Sequence, residues 1–503
     1  MKTLNFGLAL VLAATSLPAF AQQALTTPKG VYQHRQDPQQ ITVVNNGLAA
    51  LKLRLDMIEG AKKSIEMEYF IYSIDTAGRL ITQALIRKAK QGVKVRVIVD
   101  TSLPIFELNK YYAAVLKEAG IEVHYYNEAL LIQVVSTQFR SHRKSLIVDS
   151  EQAITGGRNI ADEYFDLSPE YNFMDTDMHV RGSIVRDMRT SFEEFWTSAI
   201  TKPAPLVKLP QPEDFAGLTA ANMKDPKALH DKDVRLSVSR YKSAVNNFLN
   251  GMKKARAFTI STDEDRKHLI DIHTYGASYL EQQVSDTCRD TIYASDFPGM
   301  GEKTRVLRGQ LAEEAKRAKH EIYIESPYFV IKKQQSDVLQ DMLDRGVRIN
   351  VLTNSLYSTD AFYTQAVFDT RIGLWTRAGV QVWMHSGERD PQHYPAIAEV
   401  AHARWGTHSK RGVIDDKTTI VGTFNMDPRS TNINAEMALI CRDSVVLADA
   451  VRNDIKARMA YGIKLDRNGF NADGQPVRKE APLSKKVLFW MTLPLANVLD
   501  FLL

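Results

Sequence analysis

The sequence predicts an α/β protein made of two homologous units, each with a mixed, largely parallel sheet flanked by helices, the two related by an approximate two-fold axis. Three observations carry this expectation. A strand–helix–strand order in the first half recurs in the second, a glycine-led strand of equal length stands in each half, and each half closes on the same pattern of histidine, lysine and aspartate. Strands alternating with helices form sheets covered on both faces, and internal repetition sets the architecture before any single element does.

The chain starts with Lys2, an uncharged apolar run from Leu4 to Phe20, and Ala19-Phe20-Ala21. A positive start, a short apolar run and a small-x-small site together make a secretory signal peptide, here residues 1–21, with Gln22 as the first mature residue. The expected location is therefore outside the cytoplasm, periplasmic or secreted and associated with a membrane surface.

The N-terminal unit is placed at residues 22–210. Residues 64–72 read as a strand, Ala77 to Lys90 as a helix, and Gly92 to Asp100, alternating and rich in valine, as a buried strand. Ala119 to His124 begins the next strand. Pro203, Pro205, Pro210 and Pro212 mark a surface excursion, and residues 211–300 are expected to be a mainly helical connection. The C-terminal unit, 301–480, repeats the order: strand Glu321–Glu325, a helix through Leu339 to Asp344, strand Gly346–Asn354, and a third strand begun at Ala378 to Val382. The apolar tail, 481–503, is interrupted by Pro494 and Asp500 and is a poor spanning helix. It either lies in a membrane interface with Lys485 and Lys486 toward headgroups or docks on the core.

At 503 residues the chain is long enough for two cores. A 44% hydrophobic and 24% charged composition excludes wholesale disorder. A formal net charge of +5, less the one charge of Lys2 after cleavage, suits an anionic substrate or membrane and does not by itself argue for nucleic acid. The two cysteines, Cys288 and Cys441, have two readings: a disulfide, which export would permit, or two isolated buried thiols. No Cys or His cluster has metal-ligand spacing, so neither metal nor cofactor is expected.

The chemistry lies in the repeated pattern. His142-Arg-Lys144-Ser-Leu-Ile-Val-Asp149 is followed by Gly156-Gly157-Arg158-Asn159, and His408-Ser-Lys410-Arg-Gly-Val-Ile-Asp415 by Gly422-Thr423-Phe424-Asn425; His to Asn is 17 residues in both. One such match could be chance, but two at equivalent places in a duplicated chain are specific. The candidate catalytic set is His142, Lys144, Asp149, His408, Lys410 and Asp415. On a strand, His and Lys at i and i+2 share a face, so the ammonium can hold a phosphate oxygen while the imidazole addresses phosphorus. Alternation puts Asp149 and Asp415 on the other face, where they suit the turn after the strand. Asn159, Asn425 and Gly157 are the candidate phosphate-binding groups. Two lysines and two asparagines can stabilise a phosphodiester transition state without a metal ion. Two histidines suit a two-step displacement, one as nucleophile and one as acid and base. Such histidines need orienting carboxylates. Asp175, with Asp177 as competitor, follows the first motif, and Glu436 follows the second.

With these residues in view, the chain resembles the phospholipase D superfamily over roughly 45–200 and 300–445, and within it the bacterial cardiolipin synthases of the C type. Gly156 to Phe165, Glu325 to Phe329, Leu352 to Asp360 and Phe424 to Ser430 carry the likeness. The resemblance implies two phospholipase D-like domains and transfer of a phosphatidyl group through phosphohistidine, with His142 as nucleophile and His408 as acid and base. It implies a phospholipid substrate and no cofactor. A phospholipase D passing the group to water, a nuclease of the same chemistry and a lipid-binding protein are the alternatives. No basic, aromatic-lined groove is legible, so nucleic acid is not the favoured partner. No protein partner can be read.

Overall fold

The computed structural model describes residues 29–102, 105–128, 138–225, 227, 230–299, 301–478 and 481–495. The expected signal peptide and the end of the tail lie outside them.

The first half supplies β1 (Val31–Val44), β2 (Ser64–Tyr69), β3 (Lys94–Asp100), β4 (Ile121–Tyr126), β5 (Ser145–Val148), β6 (Gln152–Gly156), β7 (Tyr171–Met174), β8 (Asp177–Arg181) and β9 (Thr201–Pro203). Its helices are α1 (Gly47–Gly60), α2 (Thr76–Lys90), α3 (Lys110–Glu118) and α4 (Ile184–Trp196). Helices α5 (Lys232–Phe258), α6 (Asp263–Asp271) and α7 (Ala277–Glu281) lead into the second half. There the strands are β10 (Ser285–Ser295), β11 (Glu321–Glu325), β12 (Arg348–Asn354), β13 (Gln381–His385), β14 (Arg404–Thr407), β15 (Arg411–Ile414), β16 (Thr418–Gly422), β17 (Met437–Cys441) and β18 (Ile463–Lys464). The helices are α8 (Leu307–Arg317), α9 (Lys333–Asp344), α10 (Phe362–Ala378), α11 (Pro428–Asn432), α12 (Val445–Ala460) and α13 (Leu483–Thr492).

Sixteen strands form one sheet, in the order β18-β13-β12-β11-β15-β16-β17-β10-β1-β8-β6-β5-β2-β3-β4-β9. Read outward from the β1–β10 pair, the two sides match strand for strand. Ile65 faces Val148 as Ile322 faces Ile414, so the registers match too. The approximate two-fold therefore passes between β1 and β10, which run antiparallel. The sheet is mixed, as expected, but its parallel share is smaller than strand–helix alternation suggests. Parallel pairing holds β2 to β3 to β4 and β11 to β12 to β13, and the ladders nearer the centre are antiparallel.

Local sequence accounts for the elements. Asn46 and Asp75 cap α1 and α2 by accepting N–H bonds from Ala49 and Gly78. All of β3 except Lys94 is buried, as a valine-rich strand covered on both faces must be. The core beneath α4 and α12 is common to both halves, with Phe192, Phe195 and Met178 packed in one cluster with Val413, Leu439 and Val451.

Residues 285–295 correct the helical reading of the connection: they form β10, a central strand. Of the two readings of the cysteines, the structure has the disulfide: Cys288 on β10 and Cys441 on the adjacent β17 are bonded, Cα atoms 5.9 Å apart. In the tail, α13 seats Phe489 in a small cluster with Leu356 and Val367. Lys485 does not face outward: its ammonium donates to the carbonyls of Leu356, Tyr357 and Thr359, orphan acceptors of a loop. No helix among the described residues is long and apolar enough to cross a membrane.

Candidate active site

Both motif histidines stand just ahead of their strands rather than on them. His142 and Lys144 precede β5, and His408 and Lys410 precede β15. The extended backbone is held across the molecular axis instead. The His142 N–H donates to Ala435 O at 2.9 Å, and the His408 N–H to Met174 O at 3.0 Å. Ala435 and Met174 immediately precede Glu436 and Asp175 in sequence. Each histidine therefore meets the carboxylate of the opposite half. His142 Nδ1 is 3.0 Å from Glu436 Oε2, and His408 Nδ1 is 2.7 Å from Asp175 Oδ2. Sequence proximity paired Asp175 with the first motif and Glu436 with the second; the fold crosses them. The competitor Asp177 is engaged by Arg54 at 3.0 Å and Arg158 at 3.1 Å.

The network fixes the tautomers. His142 Nδ1 is also 3.0 Å from the Thr423 carbonyl, which can only accept. Nδ1 therefore carries the proton and Nε2 is left with the lone pair. At His408 the Asp175 carboxylate is the acceptor for Nδ1–H, and Lys410 Nζ lies 2.9 Å from the same nitrogen. Both lysines fold back on their motifs, Lys144 Nζ donating to His142 O at 2.7 Å and Lys410 Nζ to His408 O at 2.5 Å. Aromatic edges brace the rings. Phe70 lies 5.1 Å from the His142 ring, and Tyr164 and Phe173 lie 5.0 and 4.9 Å from that of His408. Sequence reasoning gave these three no role, because only the fold brings them against the histidine rings.

All six of these charged groups and imidazoles are buried. Burial, with Lys144 and Lys410, holds His142 well below its ordinary value. Burial, Lys410, Lys144 and His142 do the same to His408. Burial and Lys410 lower Lys144 to about 7, and burial lowers Lys410 to about 8. Burial also raises Glu436 to about 7 and raises Asp175. This electrostatic crowding favours an arriving anion.

The other sequence candidates take distinct places. Asp149 accepts the N–H groups of Lys62, Lys63 and Ser64 at 2.8, 2.7 and 2.8 Å. Asp415 accepts those of Lys319, His320 and Glu321 at 3.0, 2.8 and 3.1 Å. Both adopt positive φ in the turn after the strand, and they tie that turn to the start of the neighbouring strand, β2 or β11, rather than joining the histidines. Gly157 gives way to Asp175: a Cβ there would lie 2.1 Å from Asp175 Oδ1. The room it was expected to leave for a ligand serves the carboxylate. Thr423, in the equivalent place, donates its hydroxyl to Glu436 Oε2 at 2.5 Å. Asn159 Oδ1 receives the Ile71 N–H at 3.2 Å, whereas Asn425 Oδ1 is buried without a hydrogen-bond partner. Among the described residues one Cys and acidic cluster has metal-like spacing, and its cysteines are the disulfide pair.

The model of the cardiolipin synthase phospholipase D-like domain matches residues 55–196 and 311–459, once per half and around each motif. The chain belongs to this family. A relative named cardiolipin synthase C, from Escherichia coli (strain K12), is 28% identical over 91% of this chain and 94% of its own length. Cardiolipin synthase 1 of Bacillus anthracis is 25% identical over 85% of this chain and 68% of its own. Among solved structures, phosphatidylserine synthase of Haemophilus influenzae Rd KW20 superposes with TM-score 0.60 at 13% identity, covering 93% of this chain and 97% of that one. That likeness speaks for the phospholipase D-like fold.

Proposed function

We propose that the chain is a phosphatidyltransferase acting on glycerophospholipids through a phosphohistidine at His142, with cardiolipin synthase-like transfer to a second lipid alcohol. The observation that carries this is the crossed pairing: two buried histidines, each tied at Nδ1 to a carboxylate of the other half, with Lys144 and Lys410 beside them. The His142 Nε2 lone pair attacks phosphorus, and the bond to the departing alcohol oxygen breaks as His408, having taken a second proton from solvent at Nε2 when the anionic phosphodiester binds, delivers that proton to it. His408 then takes the proton of the acceptor hydroxyl, whose oxygen displaces His142 from phosphorus. The lysines and the Asn425 carboxamide hold the phosphoryl oxygens throughout. Burial, with Lys144 and Lys410, keeps the His142 ring neutral, as a nucleophile needs, while the Thr423 carbonyl holds the proton at Nδ1. The carboxylate of Asp175 suits the ring that must carry a proton.

Relatives named cardiolipin synthase support a second lipid, rather than water, as the acceptor. Export through the signal peptide is part of the same reading, and the Cys288–Cys441 disulfide supports it, since such bonds persist in oxidising compartments. The test is lipid mass spectrometry of purified mature protein on phosphatidylglycerol and phosphatidylethanolamine vesicles. Cardiolipin formed by wild type and absent with His142→Ala and His408→Ala is the expected result. Phosphatidic acid without cardiolipin would make water the acceptor, and no lipid turnover would overturn the reading.

A further inference from the structure

The second motif continues beyond its reactive end. His408, Lys410, Gly412 and Ile414 recur every second residue, and β15 carries the last two into the sheet. A cavity of about 350 Å³ is lined by three members of this row, Lys410, Gly412 and Ile414. Ile322 and Ile324 of β11, Gly412 of β15 and Ile420 of β16 form its floor. Ala312 and Ala315 of α8, with Leu339 and Met342 of α9, form the roof. It falls within the ~300–1,000 Å³ range of small-ligand pockets, and its lining is mainly apolar, with Arg308, Glu325, Ser326, Gln335, Arg411 and Thr431 also at its walls.

The pseudo-two-fold provides an internal control. In β11–β15–β16, Ile324 faces Gly412 and Gly412 faces Ile420. Their counterparts in β2–β5–β6 are Met67, Leu146 and Ile154. Those three are sealed at 0% exposure, whereas Ile324 and Ile420 remain partly open. Two differences make the hollow. Gly412 replaces a leucine, and a Cβ there would meet only the Tyr323 carbonyl, at 3.3 Å. Helix α8 precedes β11 as α1 precedes β2, yet α1 brings Leu55 and Ile58 where α8 brings Ala312 and Ala315, and Leu51 where α8 brings Arg308. One half fills this space and the other leaves it open, although an unfilled apolar cavity destabilises a fold.

We infer that this cavity takes one acyl chain of the lipid whose phosphate sits at Lys144 and Lys410. The inference rests on the phosphatidyltransferase reading and adds where the chain lies. The mainly apolar lining rejects a polar ligand that would lose its hydration, and Lys410 in that lining ties the occupant to the reacting phosphate.

Ala312→Phe, on α8 and outside both motifs, fills the cavity. Mature wild type and variant are compared on dioleoyl phosphatidylglycerol and on bis(p-nitrophenyl) phosphate, a soluble diester without chains. The variant should lose at least about tenfold in kcat/KM on the lipid, the equivalent of two buried methylenes, while hydrolysing the soluble diester as wild type does. Equal losses on both substrates, or no loss on the lipid, would overturn the assignment. A second measurement needs no variant: phosphatidylglycerol with a diazirine at the chain end is photolysed on wild type and the adducts are mapped. Label on α8 or α9 peptides supports the site, and label confined elsewhere overturns it. If wild type cleaved the soluble diester but no phospholipid of any chain length, the phosphatidyltransferase reading itself would fall, and the acyl site with it.

Discussion

Each motif histidine takes its tautomer from a residue far away in the chain, and this makes the two carboxylates separable by kinetics. Asp175→Asn removes the acceptor at His408 Nδ1 and should lower kcat by about 10²–10⁴-fold. The proposed second step depends on His408 as base, so rapid quench with labelled lipid should catch phosphoenzyme accumulating in this variant. Glu436→Gln acts on His142, and the same experiment should then show no phosphoenzyme burst. The reverse pattern would exchange the two histidine roles. The reacting groups were legible because the sequence writes the motif twice at identical spacing. Which carboxylate serves which histidine was not legible, because β7 and β14 pair across the axis and carry each motif to the other half. Tyr164 and Phe173, which brace His408 from the other half, were hidden for the same reason.

Among the elements, the turns after β5 and β15 depend on one carboxylate each. Burial pushes Asp149 and Asp415 up, but three backbone N–H bonds apiece more than offset it and leave both below the ordinary carboxylate value. A carboxyl depressed in the folded state adds stability above its unfolded pKa of about 4 and loses it as pH falls through the folded value. Asp149→Asn should therefore cost about 2–3 kcal/mol at neutral pH, with the gap to wild type closing below about pH 4. Chemical denaturation across pH checks this, and an unchanged gap at low pH would rule out the charge as the cause. The outer strands β2 to β4 and β11 to β13 were legible from hydrophobic alternation. The two axial strands were not. β1 breaks register between Arg35 and Gln39, with Gln36 at φ 56°. The first half of β10, Ser-Asp-Thr-Cys-Arg-Asp, is polar and has no apolar alternation to set it apart from the expected helical connection.

For the molecule as a whole, one of the core clusters is shared by both halves, and the proposed membrane association calls for a surface feature. Helix α13 leaves Leu483, Val487, Trp490 and Met491 exposed while Phe489 anchors it, an arrangement suited to an interfacial helix. Mature protein should sediment with anionic vesicles, and Trp490→Ala with Met491→Ala should weaken that binding several-fold without changing the melting temperature. Unchanged sedimentation would assign α13 to core docking alone. The crossed pairing has a further consequence for ancestry. A site whose every half-contact is reciprocal could be assembled by two identical chains about a true two-fold. In such a pair any substitution strikes both sides at once. Joining the copies in one polypeptide frees each side to change alone, so a threonine can replace glycine beside one carboxylate, and one side can open a hollow that the other keeps filled.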